Sequence, residues 1–203
     1  KNIILRGAPG TGKSYLAKEI ATDIISNGYF DNYTLLTDEQ KKQIEFVQFH
    51  QSYDYSDFVE GLRPKVNNDG SIGFELRDGI FKKFVARAKK NYINAISKQE
   101  ELKKYIFIID EINRGEISKI FGELFFSIDP GYRGVAGEVS TQYSNLHKNP
   151  DEKFFIPDNV YIIGTMNDID RSVDSFDFAM RRRFRFIEIK ADERLEMLDA
   201  LGE

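Results

Sequence analysis

A glycine-rich segment close to the start of the chain restricts the fold more than any other feature. It comprises Gly7-Ala8-Pro9-Gly10-Thr11-Gly12-Lys13-Ser14 and fits the pattern G-x-x-x-x-G-K-[ST] at every fixed position. The apolar residues 2–6 before it predict a buried strand, and apolar spacing predicts a helix over residues 14–25. A strand, a glycine loop and a helix N-terminus together form an anion site. The segment therefore predicts an α/β fold that binds the phosphates of a nucleotide.

The residue types in this loop predict how a nucleoside triphosphate and Mg²⁺ are held. Lys13 supplies a point charge to the outer phosphates, and the Ser14 hydroxyl is a ligand of Mg²⁺. The residues assigned to nucleotide binding here are Gly7, Ala8, Pro9, Gly10, Thr11, Gly12, Lys13, Ser14 and Tyr15. The competing interpretation, a glycine turn that matches by chance, is disfavoured because the strand and the helix are both in place.

The composition is that of a globular chain with one sizeable core. Of the 203 residues, 41% are hydrophobic and 31% are charged, which predicts one α/β domain. The net charge of −4 and the isoelectric point near 5.4 give no overall attraction to nucleic acid or anionic membrane. The absence of cysteine excludes disulfides and thiolate metal sites. No apolar run approaches the roughly 20 residues of a membrane span, so we expect a cytoplasmic protein without a membrane partner.

Apolar runs alternate with helical patterns along the chain, as in a doubly wound parallel sheet. Strands are predicted at residues 2–6, 44–49, 105–109, 160–165 and 184–189. Helices are predicted at residues 14–25, 55–61, 79–98, 117–127, 175–180 and 191–201. Residues 65–76 predict a hairpin that turns at residues 67–70, and residues 129–157 form a polar connection. The ends of the chain, at a strand and within a helix, suggest a piece of a longer protein.

Two adjacent acids follow the apolar run 105–109. In such a Walker B segment, Asp110 is predicted to face the Mg²⁺ shell and Glu111 the attacking water, because neighbouring side chains on extended backbone point opposite ways. The alternative is that the two acids form a solvated strand end.

A second apolar strand, 160–165, is followed by Asn167, which can orient the water and contact the γ-phosphate. Alternatively, Asn167 merely opens a turn.

Three consecutive cations, Arg181, Arg182 and Arg183, precede the last predicted strand. By composition alone, such a run is a solvated patch or a nucleic-acid contact. Elsewhere, His50 is expected to be a packed histidine at a strand end, and the aromatic residues Tyr53, Tyr55 and Phe58 are expected in the core.

The segment Met166-Asn167-Asp168-Ile169-Asp170-Arg171-Ser172 matches the M-N-x-x-D-R-S signature of the McrB family. The chain thus resembles a family of GTP-driven AAA+ motor subunits of modification-dependent restriction systems. Residues 49–53, 57–64, 78–81 and 110–115 are similar to the same family, so the resemblance extends over nearly the whole chain.

The resemblance implies an AAA+ P-loop NTPase with a parallel five-stranded sheet flanked by helices over residues 1–190. Residues 191–203 would begin a truncated helical lid. It also implies Mg²⁺ with GTP or ATP, a hexameric ring, an McrC-type endonuclease partner, and DNA contacted through missing domains or the assembled ring. Arg182 and Arg183 would reach the neighbouring subunit's nucleotide as arginine fingers. Asp170 and Arg171 would contribute to the nucleotide pocket, although an ion pair between them is the alternative.

Two other functions are also compatible with the sequence. One is an ATP-specific AAA+ protein remodeller, and the other is a nucleotide-binding switch with little turnover. Glu111, Asn167 and the arginine run disfavour the switch, because binding alone needs none of them. The sequence does not distinguish GTP from ATP, since the loop contacts phosphates rather than the base.

Overall fold

The computed structural model describes residues 1–168 and 178–190 of the chain. In this part the chain has a five-stranded sheet and a separate two-stranded sheet. The strands are β1 (Asn2–Gly7), β2 (Ile44–Gln48), β3 (Glu60–Val66), β4 (Ile72–Asp78), β5 (Tyr105–Asp110), β6 (Val160–Asn167) and β7 (Arg185–Glu188). The order in the larger sheet is β2-β5-β6-β1-β7, and every neighbouring pair is parallel. The prediction of a parallel five-stranded sheet is therefore confirmed.

Helices connect the strands. The α-helices are α1 (Lys13–Ser26), α2 (Asp38–Lys41), α3 (Tyr55–Phe58), α4 (Ile80–Lys98), α5 (Ile117–Phe121), α6 (Leu124–Ser127) and α7 (Phe178–Arg183). Short 3-10 helices cover Tyr33–Leu35, Ile112–Arg114, Pro130–Tyr132, Gly134–Gly137 and Ser144–Leu146. The predicted helix 191–201, and with it the predicted start of the lid, lies outside the described residues. No helix in the described part of the chain is both long and apolar enough to cross a membrane.

By its internal contacts, the chain divides into two compact units. The first contains Lys1–His50, Glu101–Arg114 and the described residues from Asn159 onward, and so includes the whole five-stranded sheet. The second contains Gln51–Glu100 and Gly115–Asp158. The glycine loop and both acids of the Walker B segment belong to the first unit, so the candidate site is built within one compact unit.

Continuous apolar runs explain why the central strands of the first unit form. Every residue of β5 is buried, as expected for a strand covered on both faces. Helix α1 contributes Ala17, Ala21 and Ile25 to the core, beside Ile108 of β5 and Ile163 of β6. This packing fixes the helix that follows the glycine loop against the strands whose ends carry the polar residues.

Three predicted helices differ from the structure, and one of them, predicted over residues 175–180, continues to Arg183. The predicted helix 55–61 ends at Phe58, because β3 begins at Glu60 and pairs with β4 in an antiparallel hairpin. The predicted helix 117–127 is divided into α5 and α6 at Gly122, whose φ of 52° is left-handed. The hairpin itself was predicted, and it turns through Gly70 at a φ of 80°.

Aromatic rings form the core of the second unit. Phe58 stacks on Phe81 with the ring centroids 4.7 Å apart, and the Phe121 ring lies 4.6 Å from Phe58. The expectation that Phe58 is a core residue is thus confirmed, and Tyr53 packs edge-on against it at 6.3 Å. His50, in contrast, is exposed, so its prediction as a packed histidine is wrong; the strand ends before it, at Gln48.

A buried carboxylate in the second unit is hydrogen-bonded to a lysine and a histidine. Glu60 is completely buried, and its Oε2 accepts hydrogen bonds from Lys82 Nζ at 2.5 Å and His147 Nε2 at 2.7 Å. Its Oε1 accepts from the backbone N–H of Tyr143 at 3.2 Å. Burial alone would raise the pKa of the Glu60 carboxyl, but hydrogen bonds from Lys82, Thr141 and His147 outweigh burial and lower that pKa. The charged form of Glu60 therefore stabilises this unit.

Candidate nucleotide site

The glycine loop lies between the end of β1 at Gly7 and the start of α1 at Lys13. Gly10 and Gly12 have φ angles of 82° and 71°, in the left-handed region that other residues rarely adopt. Gly12 is also the residue immediately before α1, so the loop leads directly into the N-terminus of a 14-residue helix. The backbone is thus curled in the way that a phosphate-binding loop requires.

Lys13 is held by the loop that it follows. Its Nζ donates hydrogen bonds to the Ala8 carbonyl at 2.6 Å and the Gly7 carbonyl at 3.1 Å. Burial lowers the pKa of the Lys13 ammonium, and the negative charges of Glu111, Asp168 and Asp110 oppose that shift. A buried cation thus lies among acids beside a helix N-terminus, where a phosphate would find a positive partner.

Ser14 and Asp110 meet across the site. The Ser14 hydroxyl donates to Asp110 Oδ1 at 2.5 Å, which joins the first turn of α1 to the end of β5. A hydroxyl and a carboxylate in contact are the oxygen ligands that Mg²⁺ takes in proteins. Among the residues that the structure describes, no group of three or more His, Cys, Asp or Glu side chains could hold a metal alone. This set fits a Mg²⁺ that takes its remaining ligands from phosphates and water.

Glu111 follows β5 with an unusual backbone conformation. Its φ is 52°, so the reason given for the division between the two acids, an extended backbone, does not hold at this residue. The two acids have different partners: Asp110 contacts Ser14, whereas Glu111 Oε1 accepts from Asn167 Nδ2 at 2.7 Å. The Arg114 Nε lies 3.3 Å from Glu111 Oε2 as an ion pair. The Glu111 carboxylate is therefore hydrogen-bonded through Oε1, whereas the buried Oε2 has the ion pair with Arg114 and no hydrogen bond within the described part of the chain.

Thr165 is a site residue that no sequence motif indicates. It lies on β6, is buried, and donates to Asp110 Oδ1 at 2.5 Å. The same hydroxyl oxygen accepts from the backbone N–H of Glu111 at 3.2 Å. Arg114 lies in the family-like segment 110–115 and pairs with Glu111 three positions earlier. The contacts of Thr165 are tertiary and have no spacing that a sequence motif would reveal.

The other predicted residues have different surroundings. Tyr15 points outward from α1 and is 55% exposed. In helix α7, Arg181 and Arg182 are exposed, whereas Arg183 is buried. Asp170 and Arg171 lie outside the described residues, so the structure gives no geometry for them.

The sheet order brings the three strand ends together. Strand β6 lies between β5 and β1, and Asn167 pairs with Gly7 in the register of β6 and β1. The glycine loop, the acids and Asn167 therefore share the carboxyl edge of one parallel sheet, where ligands bind in open α/β folds. This fold and this site define a P-loop NTPase.

A family model describes the chain more narrowly. The model of the AAA domain (dynein-related subfamily) matches residues 2–184. The chain belongs to this family of AAA domains.

Two curated proteins are similar to the chain. It is 43% identical over 190 residues to the Type IV methyl-directed restriction enzyme EcoKMcrB subunit of Escherichia coli (strain K12), an alignment that covers 94% of the chain. It is 27% identical over 229 residues to the Type II restriction enzyme BsuMI component YdiS of Bacillus subtilis (strain 168), covering 98% of the chain. The chain spans 35% of the first relative and 60% of the second. The McrB-like resemblance found in the motifs is thereby confirmed.

Proposed function

We propose that this chain is the nucleotide-hydrolysing AAA+ motor module of an McrB-like restriction system. GTP is the proposed substrate and ATP the alternative, with hydrolysis coupled to DNA translocation and to activation of an McrC-type endonuclease subunit. The restriction context is supported by the similarity to the E. coli restriction subunit. The preference for GTP comes from the resemblance to the GTP-driven McrB family, which residues 166–172 carry, and not from any residue that selects the base.

The proposed hydrolysis is supported above all by the different contacts of two adjacent acids. Asp110 contacts Ser14, and Glu111 contacts Asn167. When Mg²⁺ is bound, Ser14 and Asp110 would hold it, and it would neutralise charge on the transferring phosphate. Glu111 would take the proton of the attacking water, and the Asn167 amide would orient that water. Lys13 would offset negative charge on the outer phosphates.

Helix α7, called the arginine helix here because it ends in Arg181, Arg182 and Arg183, favours a nucleotide site that a neighbouring subunit completes. Arg182 is exposed in helix α7. Arg183 is buried within its own subunit, so we assign the first contact with the neighbour's γ-phosphate to Arg182 and a supporting role to Arg183. Asp170 and Arg171 stay proposed members of the nucleotide pocket, and a hexameric ring stays the proposed assembly.

The test compares GTP and ATP turnover in the full-length protein, with and without an McrC-type subunit and DNA. We expect GTP to be hydrolysed faster than ATP and the partner subunit to increase the rate. Glu111→Gln keeps the shape of the side chain but loses the base, so it should bind nucleotide and hydrolyse it roughly 10²–10⁴ times more slowly. Glu116→Gln is the matched control, because Glu116 is 70% exposed and pairs only with Lys119 among the described contacts.

Other outcomes would replace this proposal. Turnover of ATP alone, without any effect of the endonuclease subunit, would favour an ATP-specific remodeller. Tight binding of both nucleotides, with parent turnover no faster than that of Glu111→Gln, would favour a nucleotide-binding switch. Equal rates for Glu111→Gln and the parent in the assembled protein would remove Glu111 from the role of base.

A further inference from the structure

Thr165 contacts both acids of the site with a single hydroxyl group. Its Oγ1 donates to Asp110 Oδ1 at 2.5 Å and accepts from the Glu111 backbone N–H at 3.2 Å. A threonine hydroxyl can do both, because its oxygen carries one donor hydrogen and two acceptor lone pairs. Thr165 is 2% exposed, so bulk water cannot readily replace it.

The contact to Glu111 falls on a residue that needs support. Glu111 has a φ of 52°, a conformation that costs free energy for any residue with a Cβ. Such a conformation persists only where the surroundings fix it. The Thr165 hydroxyl binds the N–H of this residue, and Asn167, two positions further along β6, binds its carboxylate. One strand therefore fixes both the backbone and the side chain of Glu111.

We propose that Thr165 is a positioning residue for hydrolysis, which couples the metal-facing acid to the water-facing acid. This inference rests on the proposed function, because it assumes that Glu111 acts on water and Asp110 on Mg²⁺. By donating to Asp110 Oδ1, the Thr165 hydroxyl holds this oxygen beside the Ser14 hydroxyl. Through the Glu111 N–H, it keeps the Glu111 carboxylate at the distance from Asn167 that the site requires.

The test uses three substitutions in the full-length protein. Thr165→Val removes the hydroxyl and keeps the branched shape, whereas Thr165→Ser keeps the hydroxyl and removes the methyl group. Thr22→Val is the matched control, because Thr22 is another fully buried threonine of the same compact unit and lies on α1. Turnover, KM, the Mg²⁺ concentration at half-maximal rate and the thermal midpoint are measured for each variant with the preferred nucleotide.

We expect Thr165→Val to lower kcat by about tenfold or more, because small displacements of catalytic groups are costly. The Mg²⁺ requirement should rise, and KM should change by less than kcat. Thr165→Ser should recover most of kcat, and Thr22→Val should behave like the parent in kcat even where its thermal midpoint falls. A kcat for Thr165→Val within twofold of the parent, or an equal loss in Thr165→Ser, would overturn the proposal.

A double variant separates positioning from folding. If Thr165 acts through Glu111, Thr165→Val should reduce kcat little further in the Glu111→Gln background. A full additional loss in that background would overturn the coupling, even if Thr165→Val alone is inactive or unstable. Failure of the proposed function has a different signature: the parent itself would then hydrolyse neither nucleotide faster than Glu111→Gln.

Discussion

The side-chain amide of Asn2 donates a buried hydrogen bond of 3.0 Å to the backbone carbonyl of Arg183, although 181 positions separate the two residues. Asn2 is the first residue of β1, the strand that leads into the glycine loop, and Arg183 is the last residue of α7. This bond ties the arginine helix of a subunit to the strand beneath its own nucleotide site. The last residue of α7 and the first residue of β1 are therefore in direct contact.

Arg182→Ala should abolish most turnover while leaving nucleotide binding nearly intact. The reason is that an exposed arginine acting on the neighbour's phosphate contributes to the transition state, by about 10³–10⁵ in known fingers. Turnover per subunit should also rise with protein concentration until rings form. Steady-state rates over a dilution series, together with nucleotide titrations, measure both effects. Arg181→Ala is the control, since Arg181 is exposed on the same helix.

Mixing two inactive variants tests the role of Arg182 more directly. Arg182→Ala and Glu111→Gln should each be inactive alone, yet a mixed ring contains interfaces that pair an intact Glu111 with an intact Arg182. Activity should partly return when the two full-length variants are combined. Mixtures that stay inactive although mixed rings form would show that Arg182 acts within its own subunit.

Lys13→Ala should weaken binding of magnesium–triphosphate by roughly 10- to 100-fold, the usual value of a lost charged hydrogen bond. The Lys13 ammonium is buried at the loop and is the cation that the loop itself supplies. Isothermal titration with a non-hydrolysable analogue measures the effect. Lys18→Ala, an exposed position on the same helix, should bind within about twofold of the parent. Similar binding by Lys13→Ala and the parent would contradict the phosphate-loop assignment.

Ser14→Ala and Asp110→Asn should each raise the Mg²⁺ concentration needed for nucleotide binding. Because the two side chains share a 2.5 Å hydrogen bond, their effects should not add in the double variant. The measurement is a Mg²⁺ titration of nucleotide affinity for the parent, both single variants and the double variant. Strictly additive effects would show that the two residues contribute to separate features.

Glu60→Gln should destabilise the second compact unit by about 1–3 kcal/mol, because it removes the buried carboxylate that Lys82 and His147 contact and leaves Lys82 with Asp78 as its remaining ion-pair partner. The folded-state pKa of Glu60 lies below its ordinary value of 4.5, so its charge stabilises the fold above that pH. The stabilisation is lost as the pH falls through the folded-state pKa. The difference in unfolding free energy between parent and variant should therefore be largest near neutral pH and should narrow below pH 4.5.

Chemical denaturation at a series of pH values measures this difference. Glu75→Gln is the control, because Glu75 lies in the exposed hairpin and pairs with the exposed Lys65 and Arg77. It should change stability little at any pH. A pH-independent difference for Glu60→Gln would indicate that packing, rather than charge, accounts for the role of Glu60.

The sequence predicted the parts of the fold that depend on local composition. The buried run 105–109 and the glycine loop each carry their structure in their own residues, and both were located correctly. The end of α3 was misplaced because the pairing of Glu60 with Asp78, a contact distant in sequence, converts the following residues to a strand. Thr165 was missed for the same reason: its importance comes from Asp110 and Glu111, which lie 55 and 54 positions away.

Because the backbone at Glu111 is left-handed, selection for stability and selection for turnover should favour different residues at this position. A residue with a Cβ loses about 1–2 kcal/mol in this conformation relative to glycine. A library at position 111 that is selected only for heat resistance should therefore return glycine or asparagine, whereas selection for turnover should return glutamate. The mutation that most easily relieves the backbone here is also the one that removes the proposed base.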